Sequence, residues 1–209
     1  MRDALVIAFL IFDGLTPLDF VGPFEVLSRL PGVRTRVVSP TGKAISASGG
    51  KLSIGVDCGI ADLPHADVLV VPGGPGARIL MHDAAATAWV REISRTAAWT
   101  TSVCTGSLIL GGAGLLDGLT AATHWSARDL LATTGAIPMA KRIVEHDGLV
   151  TAAGVSAGID MALLLAARIA GEDIAQAIQL RIEYDPQPPF DSGSLEKASA
   201  EIQGLAATI

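Results

Sequence analysis

The sequence predicts an α/β domain built on a largely parallel β-sheet. Apolar runs of strand length alternate along the chain with stretches of helical spacing. Several of these runs are apolar almost without alternation, as expected for strands that helices cover on both faces. The 209 residues, half of them hydrophobic, can bury a large core. We therefore expect residues 1–209 to form a single domain, with a proline-containing tail at 184–209.

The five strand candidates are the apolar or β-branched segments 4–12, 34–39, 66–74, 98–104 and 148–154. Helical spacing predicts helices over 18–30, 83–97, 126–135 and 156–171. The last of these helices is apolar nearly all round, so we expect it to be central and buried, ending at Gly171. This order of elements is typical of a parallel sheet with crossover helices.

The segment YDPQPPFDSGS, residues 184–194, differs from the rest in composition. Its prolines forbid regular structure. One interpretation is a surface loop or a frayed tail. Because Tyr184, Pro188, Pro189 and Phe190 are apolar, the segment could instead lie along the body or across a subunit boundary, and the sequence leaves both interpretations open.

Charge and composition exclude several classes of protein. The net charge is −6 and the fifteen Lys and Arg are scattered, so nucleic-acid binding is not expected. Two cysteines and four scattered histidines predict no disulfide framework, no structural metal and a reducing compartment. Asp3 is an acidic residue where a signal peptide has a basic start, which argues against a signal peptide. The uncharged stretch 96–116 is rich in Ser, Thr and Gly, which argues against a membrane span. We therefore expect no membrane segment and a cytoplasmic location.

The stretch TTSVCTGSLIL places Cys104 between a strand that ends at Val103 and a helix that begins at Thr105. This is the pattern of a nucleophile elbow, in which Gly106 would let strand and helix pass closely. Ser102 stands where the commoner pattern has glycine. At a helix N-terminus the dipole would favour the thiolate. The alternative is a structural cysteine, since free cysteines are often buried; Cys58, which lacks such a frame, is interpreted in that way.

A glycine-rich turn, VVPGGPGA, follows the third strand. The carboxyl ends of parallel strands gather ligands, so we predict that Gly73, Gly74 and Pro75 bind substrate. The N–H of Gly74 or of a neighbour would point toward charge developing on a substrate attached to Cys104. The turn lacks the Lys and Ser/Thr of a phosphate-binding loop, so nucleotide binding is not expected.

Two further side chains, Asp19 and His124, have two interpretations each. Asp19 follows the first strand, either as a functional carboxylate or as the third residue of a capping box with Thr16 and Pro17. His124 could be a base for Cys104 or a packed, hydrogen-bonded side chain. Asp160 lies on the apolar helix, where it needs a polar partner if buried.

These segments together resemble the ThiJ/PfpI group, which is related to the class I glutamine amidotransferases. The resemblance is carried by VVPGG, by SVCTGSLILGGAGLLDG, by ATTHW and by AAGVSAGIDMALLLAARIAG. Within the group, FDGLTPLDFVGPFEVL, Thr105 after the cysteine, and QLRIEYDPQPPFDSGS resemble the isocyanide hydratases. The resemblance extends from the first strand to about Ser194.

The resemblance implies a flavodoxin-like three-layer sandwich, a homodimer, and hydration of an isocyanide to an N-substituted formamide without a cofactor. It implies Cys104 as nucleophile, Asp19 as proton donor and water activator, and Thr105 as a residue that positions Asp19 or the substrate. A second class is similar too: AraC-type regulators carry a related sensing domain. Those chains continue into a basic helix-turn-helix domain, whereas this sequence stops at Ile209, so the sequence favours the enzyme over a ligand- or redox-sensing module.

Overall fold

The computed structural model describes residues 4–208. Asp3, used above against a signal peptide, and Ile209, the last residue of the predicted tail, lie outside the described residues. The strands are β1 (Leu5–Leu10), β2 (Val33–Ser39), β3 (Ile45–Ser46), β4 (Ser53–Ile54), β5 (Cys58–Gly59), β6 (Val68–Val71), β7 (Trp99–Val103), β8 (Thr120–Ala121), β9 (Ile137–Pro138), β10 (Ile143–His146) and β11 (Leu149–Ala152). The helices are α1 (Pro17–Leu27), α2 (Ala77–Leu80), α3 (Ala84–Thr96), α4 (Gly106–Gly112), α5 (Arg128–Ala132), α6 (Ala157–Ala170), α7 (Glu172–Arg181) and α8 (Ala200–Ala206).

The central sheet has the strand order β10-β11-β7-β6-β1-β2-β5. Its neighbours are parallel, apart from β10, which runs antiparallel to β11 at one edge. The five long parallel strands follow the flavodoxin-like order, in which β1 lies between β2 and β6. The predicted α/β fold with a mostly parallel sheet is confirmed.

Helices flank the sheet in two groups, one containing α1, α6 and α7 and the other α2 to α5. Strands β1 and β6 are almost wholly buried, which explains their lack of alternation. Helix α6 ends at Gly171 as predicted, with φ 92° at that glycine. Only one side of α6 is fully buried, however, because its other residues pack half-exposed against neighbouring helices. The prediction of a central, buried helix is therefore correct for one side of α6, and the rest of the helix is half-buried apart from Arg168.

The segment 184–194 has no regular structure, as its prolines predicted. The Tyr184 hydroxyl donates a hydrogen bond to Asp160 of α6 (2.6 Å), so this end of the segment lies along the body. Phe190 is 80 % exposed. Within residues 4–208, none of the helices is both long and apolar enough to cross a bilayer.

Candidate active site

The site lies where four neighbouring parallel strands end. β1, β6, β7 and β11 are adjacent in the sheet, and the segments that follow them carry Asp19, Gly73, Cys104 and Val155. The strand order reverses between β1 and β6, and ligands of such sheets bind beyond the carboxyl ends at this switch point. The topology thus brings together residues that are distant in the sequence.

Cys104 occupies a strained turn between β7 and α4. Its φ is 57°, in the left-handed region that non-glycine residues rarely adopt. The turn is held by the Cys104 N–H, which donates to the carbonyl of Ala153 (2.8 Å). A Cβ at Gly106 would collide with the Val71 carbonyl oxygen, so only glycine allows α4 to start this close to β6. The strand-turn-helix geometry of an elbow lies where the sequence predicted it, with the helix beginning one residue later, at Gly106.

Asp19 is completely buried beside this cysteine. Its Oδ2 accepts a hydrogen bond from the N–H of Gly73 (3.0 Å). The other oxygen, Oδ1, is buried without a hydrogen-bond partner of ordinary geometry among the described residues. The carboxyl nevertheless lies close enough to the Cys104 thiol for each group to alter the pKa of the other. Asp19 therefore lies beside the thiol with one carboxyl oxygen unpaired among the described residues.

The capping-box interpretation of Asp19 is wrong. Thr16 is the N-cap of α1 and Pro17 is its first residue, as predicted, but no side-chain cap hydrogen bond forms. The reason is the loop after β6: the Gly73 carbonyl accepts from the Thr16 N–H (2.9 Å), which brings the Gly73 N–H within reach of the Asp19 carboxylate. Asp19, in the first turn of α1, therefore faces this loop.

Burial governs the protonation of both groups. It raises the pKa of Asp19 to about 7, against the lowering effects of the Gly73 N–H and of Cys104. It also raises the pKa of Cys104 to about 12, and the negative charge of Asp19 adds to this shift. The N–H groups of Val155 and Thr105 donate to the thiol sulfur and oppose it. The prediction that the helix dipole makes Cys104 a thiolate is therefore wrong: in the resting site the thiol keeps its proton and needs a base.

Thr105 acts on the glycine-rich turn. Its Oγ1 accepts from the N–H of Gly74 (2.8 Å) and donates to the Gly74 carbonyl (3.0 Å). The prediction that the Gly74 N–H points at the substrate is therefore wrong, because that N–H is already used. The Gly73 N–H is engaged by Asp19, and Pro75 has no N–H. This turn orients the Asp19 carboxyl, and Thr105 holds the turn.

His124 does not contact the pair through any hydrogen bond of the described residues. Its Nδ1 hydrogen-bonds the Ser126 hydroxyl (2.8 Å), which agrees with the packed interpretation. Desolvation, together with Arg78 and Arg128, lowers the pKa of His124, so the ring is neutral. Asp160 is not fully buried; it pairs with Arg142 and accepts from Tyr184, which anchors the C-terminal segment.

Cys58 lies on β5 at the edge of the sheet, where its sulfur accepts from Arg36 Nη2 (3.4 Å). Three strands, β6, β1 and β2, separate it from β7 and Cys104. The sequence interpretation missed two contacts of Cys104. The Val155 N–H reaches the sulfur, and the Thr123 hydroxyl donates to the Cys104 carbonyl (3.1 Å). Val155 follows the end of β11, and that position beyond a strand end was the signal that could have identified it.

Fold and site together define an α/β protein of the class that holds a buried cysteine at a strained turn beyond a parallel sheet. Residues 6–168 match the model of the DJ-1/PfpI family. The chain belongs to the DJ-1/PfpI family.

Relatives and solved structures agree with this assignment. The chain is 45 % identical over 199 residues to the isonitrile hydratase of Pseudomonas putida, covering 95 % of this chain and 87 % of that one. It is 33 % identical over 175 residues to the HTH-type transcriptional regulator CdhR of Pseudomonas aeruginosa, covering 80 % of this chain and 51 % of the regulator. A ThiJ/PfpI family protein from Pseudomonas syringae superposes with a TM-score of 0.93 at 37 % identity, covering 98 % of this chain and 85 % of that one.

Proposed function

We propose that the chain is an isocyanide hydratase, which adds water to an isocyanide to give an N-substituted formamide through a covalent thioimidate on Cys104. Isonitrile is a synonym of isocyanide, and the 45 % identity over 95 % of the chain to an isonitrile hydratase is the observation that carries the proposal. The buried pair of Asp19 and Cys104 supplies the nucleophile and the acid-base group that this chemistry requires.

In the first step, Asp19 takes the proton of the Cys104 thiol and the sulfur attacks the terminal isocyanide carbon. One S–C bond forms, the carbon lone pair takes the proton back from the Asp19 carboxylic acid, and the product is a thioimidate, R–N=CH–S–Cys. The sulfur and the proton of the thiol are now both bonded to the isocyanide carbon, and Asp19 has carried the proton between them. The N–H groups of Val155 and Thr105 stabilise the sulfur while it carries negative charge.

In the second step, the Asp19 carboxylate removes a proton from water while the oxygen adds to the thioimidate carbon, and the Asp19 carboxylic acid then passes that proton to the nitrogen. The tetrahedral intermediate expels the sulfur and releases R–NH–CHO. The remaining hydroxyl proton returns to the thiol through Asp19, which restores the starting state. Water is the only co-reactant, so the proposed reaction uses no cofactor.

The proposal is tested by incubating the purified protein with a simple alkyl or aryl isocyanide and following formamide formation by chromatography and NMR. Enzyme-dependent formamide, in amounts far above the enzyme concentration, supports it. Mass spectrometry after acid quenching should detect an adduct of the isocyanide mass on Cys104. Binding of isocyanide without formamide formation would contradict the proposed enzyme and favour a sensing module, which the 33 % identity to CdhR makes the second candidate.

We predict that kcat/KM falls as pH decreases below about 7. Burial raises the pKa of Asp19 to about 7, so below this pH the carboxyl is protonated and cannot accept the thiol proton. The active pair carries one proton in total, and the added second proton blocks attack. The rate should fall about tenfold per pH unit on the acid side. A kcat/KM profile that stays flat from pH 8 to pH 5 would contradict Asp19 as the base.

We also propose that the enzyme is a cytoplasmic homodimer. The two free cysteines suit a reducing compartment. Leu18 and Val21 expose apolar side chains on α1, and Phe190 is almost fully exposed, so apolar surface is available for a partner copy. Sedimentation velocity at micromolar concentration is expected to give a mass near twice 21.4 kDa. A mass of one chain would contradict the dimer.

A further inference from the structure

A cavity of about 520 Å³ lies next to residues that contact Cys104, although neither Cys104 nor Asp19 is itself among its lining residues. Three of its lining residues touch the reacting pair or adjoin it. Val155 donates its N–H to the Cys104 sulfur, Thr123 donates to the Cys104 carbonyl, and Leu18 precedes Asp19 in the chain. The isocyanide carbon must reach the sulfur, so this neighbouring cavity is the candidate space for the rest of the substrate.

The lining of this cavity is cationic, although the whole chain carries a net charge of −6. Arg128, Lys141 and Arg142 line it, with Glu196 as the one carboxylate among the described lining residues. Arg142 is paired with Asp160 from outside the lining, and this pair is charge-neutral. Lys141 has no ion pair within residues 4–208. The local excess of positive charge favours an anionic ligand.

Arg128 is the cation best placed to bind one. Its side chain is 28 % exposed, and Nε is buried without a hydrogen-bond partner among the described residues. The contact of its Nη2 with Glu196 is 3.7 Å, which is longer than a hydrogen bond. The pKa of the Glu196 carboxylate is lowered first by its own backbone N–H and by the Ser194 side chain, and only then by Arg128. The buried Nε is out of a ligand's reach, but the terminal nitrogens of Arg128 make no hydrogen bond of ordinary length within residues 4–208 and are available to one.

We infer, resting on the proposed function, that the substrate is an isocyanide bearing a carboxylate, which the guanidinium of Arg128 binds inside the cavity. A guanidinium presents paired N–H donors that match the two oxygens of a carboxylate. Lys141 adds a second positive charge to the same space. His124, which also lines the cavity, is neutral and does not compete for the anion.

The test compares charged and neutral isocyanides of the same skeleton. The probes are 4-isocyanobenzoate with 4-isocyanobenzamide, and 3-isocyanopropanoate with its amide, so that two distances from the reacting carbon are sampled. We expect kcat/KM to be higher for the carboxylate in at least one pair by about tenfold or more. In Arg128→Gln the ratio of carboxylate to amide should fall toward one. Arg95→Gln is the control, because Arg95 is exposed on α3 and does not line the cavity; it should keep the wild-type ratio.

A binding measurement makes the test independent of turnover and of how well the variant folds. Calorimetry on the wild-type protein should show 4-formamidobenzoate binding more tightly than 4-formamidobenzamide, with the difference shrinking at high salt. Hydration of both members of each pair at equal kcat/KM would overturn the inference and leave the proposed function standing. Formamide from none of the four compounds would overturn the proposed function itself. A carboxylate preference that persists in Arg128→Gln would overturn the assignment to Arg128.

Discussion

Replacing Cys104 with alanine is expected to reduce isocyanide hydration to the background rate, a loss of about 10⁴-fold or more, as removal of a covalent nucleophile does in other enzymes. The sulfur forms the bond to the isocyanide carbon, and no described side chain near Asp19 offers a second nucleophile in the same position. The measurement is kcat/KM from formamide formation. The adduct seen by mass spectrometry should disappear together with the activity.

Cys58→Ala is the matched control for this loss. Cys58 lies on the edge strand β5, and three strands separate it from Cys104 in the sheet. Its sulfur accepts one hydrogen bond, from the half-buried Arg36, so the variant should keep wild-type activity and nearly the wild-type melting temperature. Equal loss in both cysteine variants would indicate a general structural effect and would overturn the role of Cys104.

The pairing of Cys104 with a buried carboxyl explains why this cysteine differs from a helix-activated thiolate. Helix α4 has only seven residues, and two backbone N–H groups are all that directly stabilise the sulfur. Burial and the neighbouring carboxylate outweigh them, so the pKa of the thiol is raised. In the proposed mechanism the nucleophile is therefore stored as a neutral thiol, and Asp19, 85 residues earlier in the sequence, is the base that activates it.

The sequence predicted those parts of the fold that depend on local pattern. The apolar runs became β1, β6 and β7, and Gly171 ended α6 as expected. Helix α7 and the edge strand β10 were not predicted. β10 has four residues and pairs on one side only, so its pattern is short. α7 has two fully buried residues in ten, which leaves a weak apolar stripe.

The sequence likewise indicated some residues of the candidate site and not others. Cys104 and Asp19 were candidates because each follows a strand whose end could be located in the sequence, but each also had a structural interpretation, and their roles came from the family resemblance. The partners of Gly73 and Gly74 were not identifiable, because they depend on how the loop after β6 meets α1 and α4. The raised pKa of Asp19 could not be predicted for the same reason. It results from burial by several loops that are distant in the sequence, and no local pattern encodes it.

Asp19→Asn is expected to lower turnover by about a hundredfold or more, the scale typical of general acid-base catalysis. The amide can still accept from the Gly73 N–H, so the geometry of the turn should be kept. It cannot take the thiol proton or return it to the isocyanide carbon. The acid-side fall of kcat/KM near pH 7 should disappear in this variant, since the group that titrates there has been removed.

The stability of Asp19→Asn separates catalysis from folding. The pKa of Asp19 is raised in the folded state, from 3.8 to about 7, so wild-type stability is greatest when the carboxyl is protonated and falls as pH rises across that interval. At pH 8 the wild type carries the full cost of a buried charge, which asparagine lacks. The variant should therefore melt at or above the wild-type temperature at pH 8. At pH 4, where the wild-type carboxyl is protonated, the melting temperature of the wild type should rise relative to that of the variant. Lost activity together with a lower melting temperature at pH 8 would indicate structural damage instead.

Asp19→Glu completes the argument, because it keeps the carboxyl and moves it by one methylene. The Asp19 side chain has no exposed surface, and its Oδ2 is fixed on Gly73, so a longer side chain cannot keep both that hydrogen bond and the approach to the thiol. A proton relay that depends on position predicts partial loss, between the wild type and Asp19→Asn, measured as kcat/KM at pH 8. A role limited to negative charge predicts almost full activity. Near-normal hydration by Asp19→Asn would overturn the relay altogether, and the neutral His124, which lines the same cavity, would then be the next acid to test.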